Sequence, residues 1–85
     1  MKKYIRIHEK DNVAVAIREI AAGETIEIGG LQVRAQEEIP AGHKIALGEI
    51  AAGGEVIKYG CRIGNAKAEI PAGCWVHTHN LGTAL

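Results

Sequence analysis

One eight-residue phrase, Glu-Ile-(Ala/Pro)-Ala-Gly-x-x-(Ile/Val), occurs four times in 85 residues and leaves the chain few ways to fold. It reads EIAAGETI from Glu19, EIPAGHKI from Glu38, EIAAGGEV from Glu49 and EIPAGCWV from Glu69. Phrases one and three carry Ala at the third place, and phrases two and four carry Pro40 and Pro71. The repeating unit is therefore a pair of phrases, and its two members recur after 30 and 31 residues. The segments between align with one gap, TIEIGGLQVRA against EVIKYGCRIGNA. This pattern predicts a duplicated half-domain, with too few copies for a solenoid. Two such halves, related by a pseudo-twofold rotation, are expected to bury one shared core.

The phrase has a physical reading. Pro fixes φ and has no N–H to give to a ladder. Gly two places later tolerates positive φ. Together they predict a turn, after which the β-branched residue restarts a strand. Ile20, Ile39, Ile50 and Ile70 are expected to plug the core, and the leading glutamates to face water. Two-residue alternation marks strands over Lys2–His8 (Ile5 and Ile7 sharing a face), Val13–Ile17, Thr25–Ile28, Leu31–Ala35, Val56–Tyr59 and Arg62–Ala66. Gly29-Gly30 reads as a hairpin turn, with Tyr59-Gly60-Cys61 as its counterpart. Eleven glycines break every long helical window, leaving room for one helical turn near Ala35–Glu38. The chain reads as one all-β domain over residues 1–85, built from short, bent strands.

Composition narrows the function. Lys and Arg number 10, as do Asp and Glu, so the formal net charge is zero. A nucleic-acid module needs a basic surplus and a polybasic membrane anchor needs a basic cluster, so both are excluded. Without net repulsion, so small a domain points to a partner or a homo-oligomer. No apolar run approaches the roughly 18–20 residues of a membrane span. The basic start, Met1-Lys2-Lys3, is not followed by an apolar signal-peptide core, and the cytoplasm is the expected location. Cys61 and Cys74 fit isolated thiols of a reducing compartment. The sequence contains no phosphate loop, no GxSxG and no HExxH.

The residues that can carry chemistry are few. His77 and His79 stand at i and i+2 and would share a face on a strand. Two imidazoles can grip an anion or share a metal, but they do not complete a metal shell. His43-Lys44 follows a Pro-Ala-Gly turn and has no basic counterpart in the other phrases, which marks a local role rather than a scaffold one. His8, Asp11 and Asn12 surround the first turn, where Asp and Asn also serve as turn formers. Lys58 is either a solvated strand residue or an anion contact.

These segments together resemble a known family. His8-x-x-Asp11-Asn12-Val13-Ala14-Val15-Ala16, Gly42-His43-Lys44-Ile45-Ala46-Leu47, Val56-Ile57-Lys58-Tyr59-Gly60, Ile63-Gly64-x-Ala66 and Val76-His77-Thr78-His79-Asn80-Leu81 occur in that order. The chain resembles the N-terminal domain of the altronate and galactarate dehydratase family. It is also similar to the small subunit of enzymes in which that domain is a separate chain, sulfolactate sulfo-lyase among them. The resemblance implies a SAF-type β-clip fold and loss of water from a small sugar acid to give a 2-keto-3-deoxy acid. It implies Fe²⁺ or Mn²⁺ as cofactor, and a large catalytic subunit or C-terminal domain as partner, without which the chain is expected to be inactive. Carried onto this sequence, it implies His77 and His79 as catalytic or metal-binding residues. His8, Asp11, Asn12, His43, Lys44, Lys58 and Asn80 are implied as substrate contacts. The alternatives are release of bisulfite instead of water, and a non-catalytic carbohydrate- or partner-binding module.

Overall fold

A computed structural model of the chain describes residues 4–6 and 8–83. Ile7, expected to share a face with Ile5, lies outside them. The described residues form nine strands and no helix: β1 (Tyr4–Ile5), β2 (Val13–Ala16), β3 (Thr25–Ile28), β4 (Leu31–Arg34), β5 (Lys44–Ala46), β6 (Glu55–Lys58), β7 (Cys61–Ala66), β8 (Trp75–Val76) and β9 (Leu81–Thr83). The helical turn expected near Ala35–Glu38 is a bend, which two backbone hydrogen bonds from Ala35 and Gln36 tie to neighbouring segments.

Each phrase forms the same turn. The N–H of its sixth residue donates to the C=O of its third: Glu24 to Ala21, His43 to Pro40, Gly54 to Ala51 and Cys74 to Pro71. The intervening Gly23, Gly42, Gly53 and Gly73 all have φ between 80° and 87°. That is the conformation a type II turn demands of its third residue. Each turn then docks on a buried alanine through two further bonds. In phrase two, Gly42 N–H donates to Ala16 C=O (2.7 Å) and Ala16 N–H donates to His43 C=O (2.8 Å). Ala35, Ala66 and Ala46 take the same part for phrases one, three and four. A strand follows every turn: β3, β5, β6 and β8.

The phrase isoleucines meet in pairs. Ile20 and Ile39 exchange two backbone hydrogen bonds, as do Ile50 and Ile70, and all four side chains are buried. Each buried Ile contributes about 1.5–3 kcal/mol relative to exposure. The four leading glutamates are exposed. The one-residue difference between the 30- and 31-residue spacings has a structural counterpart. In β6–β7 the register steps from Ile57↔Arg62 to Val56↔Gly64, leaving Ile63 as an extra residue, whereas β3–β4 runs without a step.

The core departs from expectation. Strands β1-β2-β5-β8 make one antiparallel sheet, β3-β4 a hairpin and β6-β7-β9 a second sheet. Ala14, Ala16, Ile45 and Leu47 pack with Ile20, Ile39 and the β3–β4 residues Ile26 and Val33. Val13, Ala46 and Val76 pack with Ile50, Ile70, Val56 and Ala66. There are two cores rather than one shared core. Successive residues of β2 and β5 point to opposite faces, and each half covers one face. Cys61 and Cys74 are free thiols, as expected.

Candidate functional site

The ends of phrases two and four lie side by side. β5 and β8 pair antiparallel with Lys44 opposite Val76 and Ile45 opposite Trp75. The same register continues outward to set His43 against His77, and their ring centroids are 4.5 Å apart. Trp75 stands at the centre of the group. Its ring is stacked on His77 at 5.5 Å with 11° between planes, and it lies 5.4 Å from His43 and 5.1 Å from His79. Its indole Nε1–H donates to His43 Nδ1 at 3.0 Å.

His77 and His79 come together by a route other than the one expected. β8 ends at Val76, so strand alternation does not align them. Residues 77–80 form a turn organised by Asn80. Its Oδ1 accepts the His77 N–H (2.9 Å) and its Nδ2 donates to the Trp75 C=O (2.8 Å). The Asn80 and Leu81 N–H groups both donate to the His77 C=O. This closed turn brings the His79 ring against that of Trp75, tilted by 51°. Asn80 thus spends its side chain on shaping the site.

The electrostatics combine basic groups with one carboxylate, Glu37, which accepts the Trp75 N–H at 3.2 Å and, after burial, helps raise the pKa of Cys74. Burial lowers the pKa of Lys44, and the charge of Lys58 lowers it further. The pKa of His77 is lowered by desolvation first, then by His43, Lys44 and His79. The groups that lower these two values, beyond burial, are the basic side chains Lys58, His43, Lys44 and His79. A rim of this kind is relieved by an anion, which would restore the charged forms.

The other candidates lie on the loop before β2. The buried Asp11 carboxylate accepts the N–H of His8 (3.1 Å) and of Gly60 (2.7 Å). The Asn12 amide stands in for a neighbouring strand: Oδ1 accepts from Ile57 N–H and Nδ2 donates to Glu55 C=O, each at 2.8 Å. Both side chains brace β6 and its turn. His8 is exposed and accepts the Lys10 N–H at Nδ1, and its ring lies over Gly60. The ring contacts joining His43, His77 and His79 do not extend to it.

Trp75 is the residue that sequence reasoning missed. The signal was there: the chain's single Trp occupies the place in phrase four that Lys44 holds in phrase two. The donor set does not fit a metal on its own. Among the described residues no three His, Cys, Asp or Glu side chains are placed to hold one. His43 Nδ1 is taken by the indole, and Lys44 adds a cation beside the rings.

A family profile described as Altronate/galactarate dehydratase SAF domain matches residues 2–84. The altronate dehydratase of Escherichia coli (strain K12) is 47% identical over 83 residues, which is 98% of this chain and 17% of that protein. The altronate dehydratase of Bacillus subtilis (strain 168) is 41% identical over 85 residues, again 17% of its length. The (2R)-sulfolactate sulfo-lyase subunit alpha of Chromohalobacter salexigens is 32% identical over 85 residues, covering 91% of this chain and 90% of that subunit. The chain spans under a fifth of the dehydratases it matches and nearly the whole of the subunit. Among the described residues, no helix is long and apolar enough to cross a membrane.

Proposed function

The chain belongs to the altronate/galactarate dehydratase SAF-domain family, and from that membership we propose that it supplies the acid-binding rim of a sugar-acid hydro-lyase completed by a larger catalytic region. The observation that carries this reading is the convergence of His43, His77 and His79 around Trp75, with Lys44 of β5 next to His43 and its charge among those lowering the pKa of His77.

Dehydration removes a proton from the carbon beside the carboxylate and a hydroxyl from the next carbon. The Lys44 ammonium neutralises the carboxylate, which makes the adjacent C–H easier to ionise. His77, whose pKa lies below the ordinary histidine value, presents more neutral imidazole at pH 7 and suits the base. His79, exposed at the rim, delivers a proton to the departing hydroxyl. Fe²⁺ or Mn²⁺ is assigned to the larger region, because the donors here do not make a metal site.

Reconstitution with that region tests the reading, by following 2-keto-3-deoxy acid formed from altronate. Lys44→Ala is expected to raise KM about 10- to 100-fold, the worth of one charge-assisted contact. His79→Ala is expected to lower kcat. Robust dehydration by this chain alone would overturn the division of labour.

A second reading rests on the match along 90% of a sulfo-lyase subunit. The same rim would then hold sulfolactate, and bisulfite would leave in place of water. Turnover of sulfolactate but not altronate by the reconstituted enzyme would select it. Binding of acids with no turnover in any reconstitution would select a binding module.

A further inference from the structure

The turn that carries His79 is held from outside by one residue, Lys67. Its Nζ donates to the Thr78 C=O at 2.8 Å, and its backbone N–H donates to the Asn80 C=O at 2.9 Å. Between these two bonds the side-chain stem runs past Gly82, where a Cβ would lie 3.8 Å from Lys67 Cγ and 3.9 Å from Cε. Among the described residues, no backbone N–H donates to the Thr78 C=O. In the first half the same place, two residues before a phrase, belongs to Gln36. The repeat itself therefore does not call for a lysine there.

The Thr78 carbonyl and the His79 nitrogen belong to one rigid peptide plane. That plane is the middle of the 77–80 turn, which the Asn80 N–H closes on the His77 C=O. Neither Thr78 nor His79 has positive φ, so the turn is of type I. Turning the plane over gives type II, in which His79 takes positive φ and the Thr78 carbonyl points the other way. The bond to Lys67 therefore exists in the first form and is lost in the second. In the first form the His79 ring lies 5.1 Å from that of Trp75.

We propose that Lys67 is a positioning residue: by holding the Thr78 carbonyl it fixes the peptide that leads into His79, and so keeps the His79 imidazole against Trp75. Asn80 closes the turn from within, through the His77 N–H and the Trp75 C=O, but its side chain reaches neither Thr78 nor His79. Lys67 supplies the restraint at that middle peptide. This rests on the reading of His79 as proton donor to the departing hydroxyl, and adds the residue that presents it.

The experiment follows the imidazole ¹H shifts of the 85-residue chain by NMR, and altronate kinetics in the enzyme reconstituted with the larger region. In the native chain the His79 ring protons should carry a ring-current shift from Trp75. Lys67→Met, which keeps the length of the stem, should reduce that shift while the His43 and His77 signals stay in place. It should also lower kcat about 2- to 10-fold, the worth of one net hydrogen bond, with KM unchanged. Lys67→Arg, whose guanidinium also donates to a carbonyl, should restore both. An unchanged His79 shift in Lys67→Met, or a lost shift with unchanged kcat, overturns the proposal. So does a change of equal size at all three histidines, which is general loosening, and so does an arginine variant that behaves like the methionine one. If the native enzyme does not dehydrate altronate while Lys67→Met still moves His79 alone, the reaction assigned to the rim falls and the positioning of His79 stands.

Discussion

The indole N–H of Trp75 donates to Nδ1 of His43 across 3.0 Å. Nδ1 must therefore offer a lone pair, and neutral His43 carries its proton on Nε2. The ring that makes this bond is also stacked on His77 and touches His79, so one indole sets the positions of three imidazoles.

Trp75→Phe should release the tautomer. Imidazole ¹⁵N shifts of the native chain are expected to show a single His43 species protonated at Nε2, and those of the variant a mixture. Loss of the bond alone should cost about 1 kcal/mol in urea unfolding. A single unchanged tautomer in the variant would show that the indole does not direct it.

The rim should make stability depend on pH in two windows. His77 titrates below the usual 6.5 when folded, so between that lowered value and 6.5 the unfolded chain binds more protons. Its contribution is whole above pH 6.5 and is lost as pH falls through the folded value. His77→Gln should flatten this acid limb of a ΔG–pH profile. Lys44 behaves alike on the alkaline side: stability should rise from its lowered folded value up to 10.5, and Lys44→Met should remove that rise.

Gly42 and Gly73 hold the same place in phrases two and four, with φ of 83° and 87°, yet their substitution should differ in cost. A Cβ on Gly42 meets nothing within 4 Å, so Gly42→Ala should lose only about 1–2 kcal/mol of backbone strain. A Cβ on Gly73 would overlap the carbonyl oxygen of Arg34, where Gln36 N–H also docks on the Gly73 C=O. Gly73→Ala should be the more destabilising by chemical unfolding, and equal losses would contradict the packing described.

Asp11→Ala should destabilise the chain by about 1.5–3 kcal/mol, the worth of a charge-assisted bond. Its carboxylate receives two backbone N–H groups and is 4% exposed. Asn12→Ala should cost about 1–3 kcal/mol by orphaning the Ile57 N–H and the Glu55 C=O. Both variants, measured while still folded, should keep altronate contacts at Lys44 and His77. Loss of those contacts at unchanged stability would make Asp11 or Asn12 a direct ligand.

The sequence by itself determined the four turns, the strand after each, the four buried isoleucines and the exposed glutamates. These features rest on restraints that act within eight residues: a glycine free to take positive φ, a proline without a donor, and an apolar residue at a fixed distance from both. It also registered one extra residue in the second half as an alignment gap, because the bulge adds to the chain length; that the residue is Ile63 came from the β6–β7 register. The tertiary structure alone decided the rest. Whether β2 and β5 feed one core or two depends on what covers their second face. The meeting of His43 with His77 depends on pairing Lys44 with Val76, 32 positions away. Asp11 and Asn12 read from the sequence as turn formers or substrate contacts, and only the tertiary structure brought Gly60, Glu55 and Ile57 beside them from more than forty residues on. Trp75 looked like a phrase variant until three imidazoles closed around it. A strand register is set by all its pairings together, and no local window contains it.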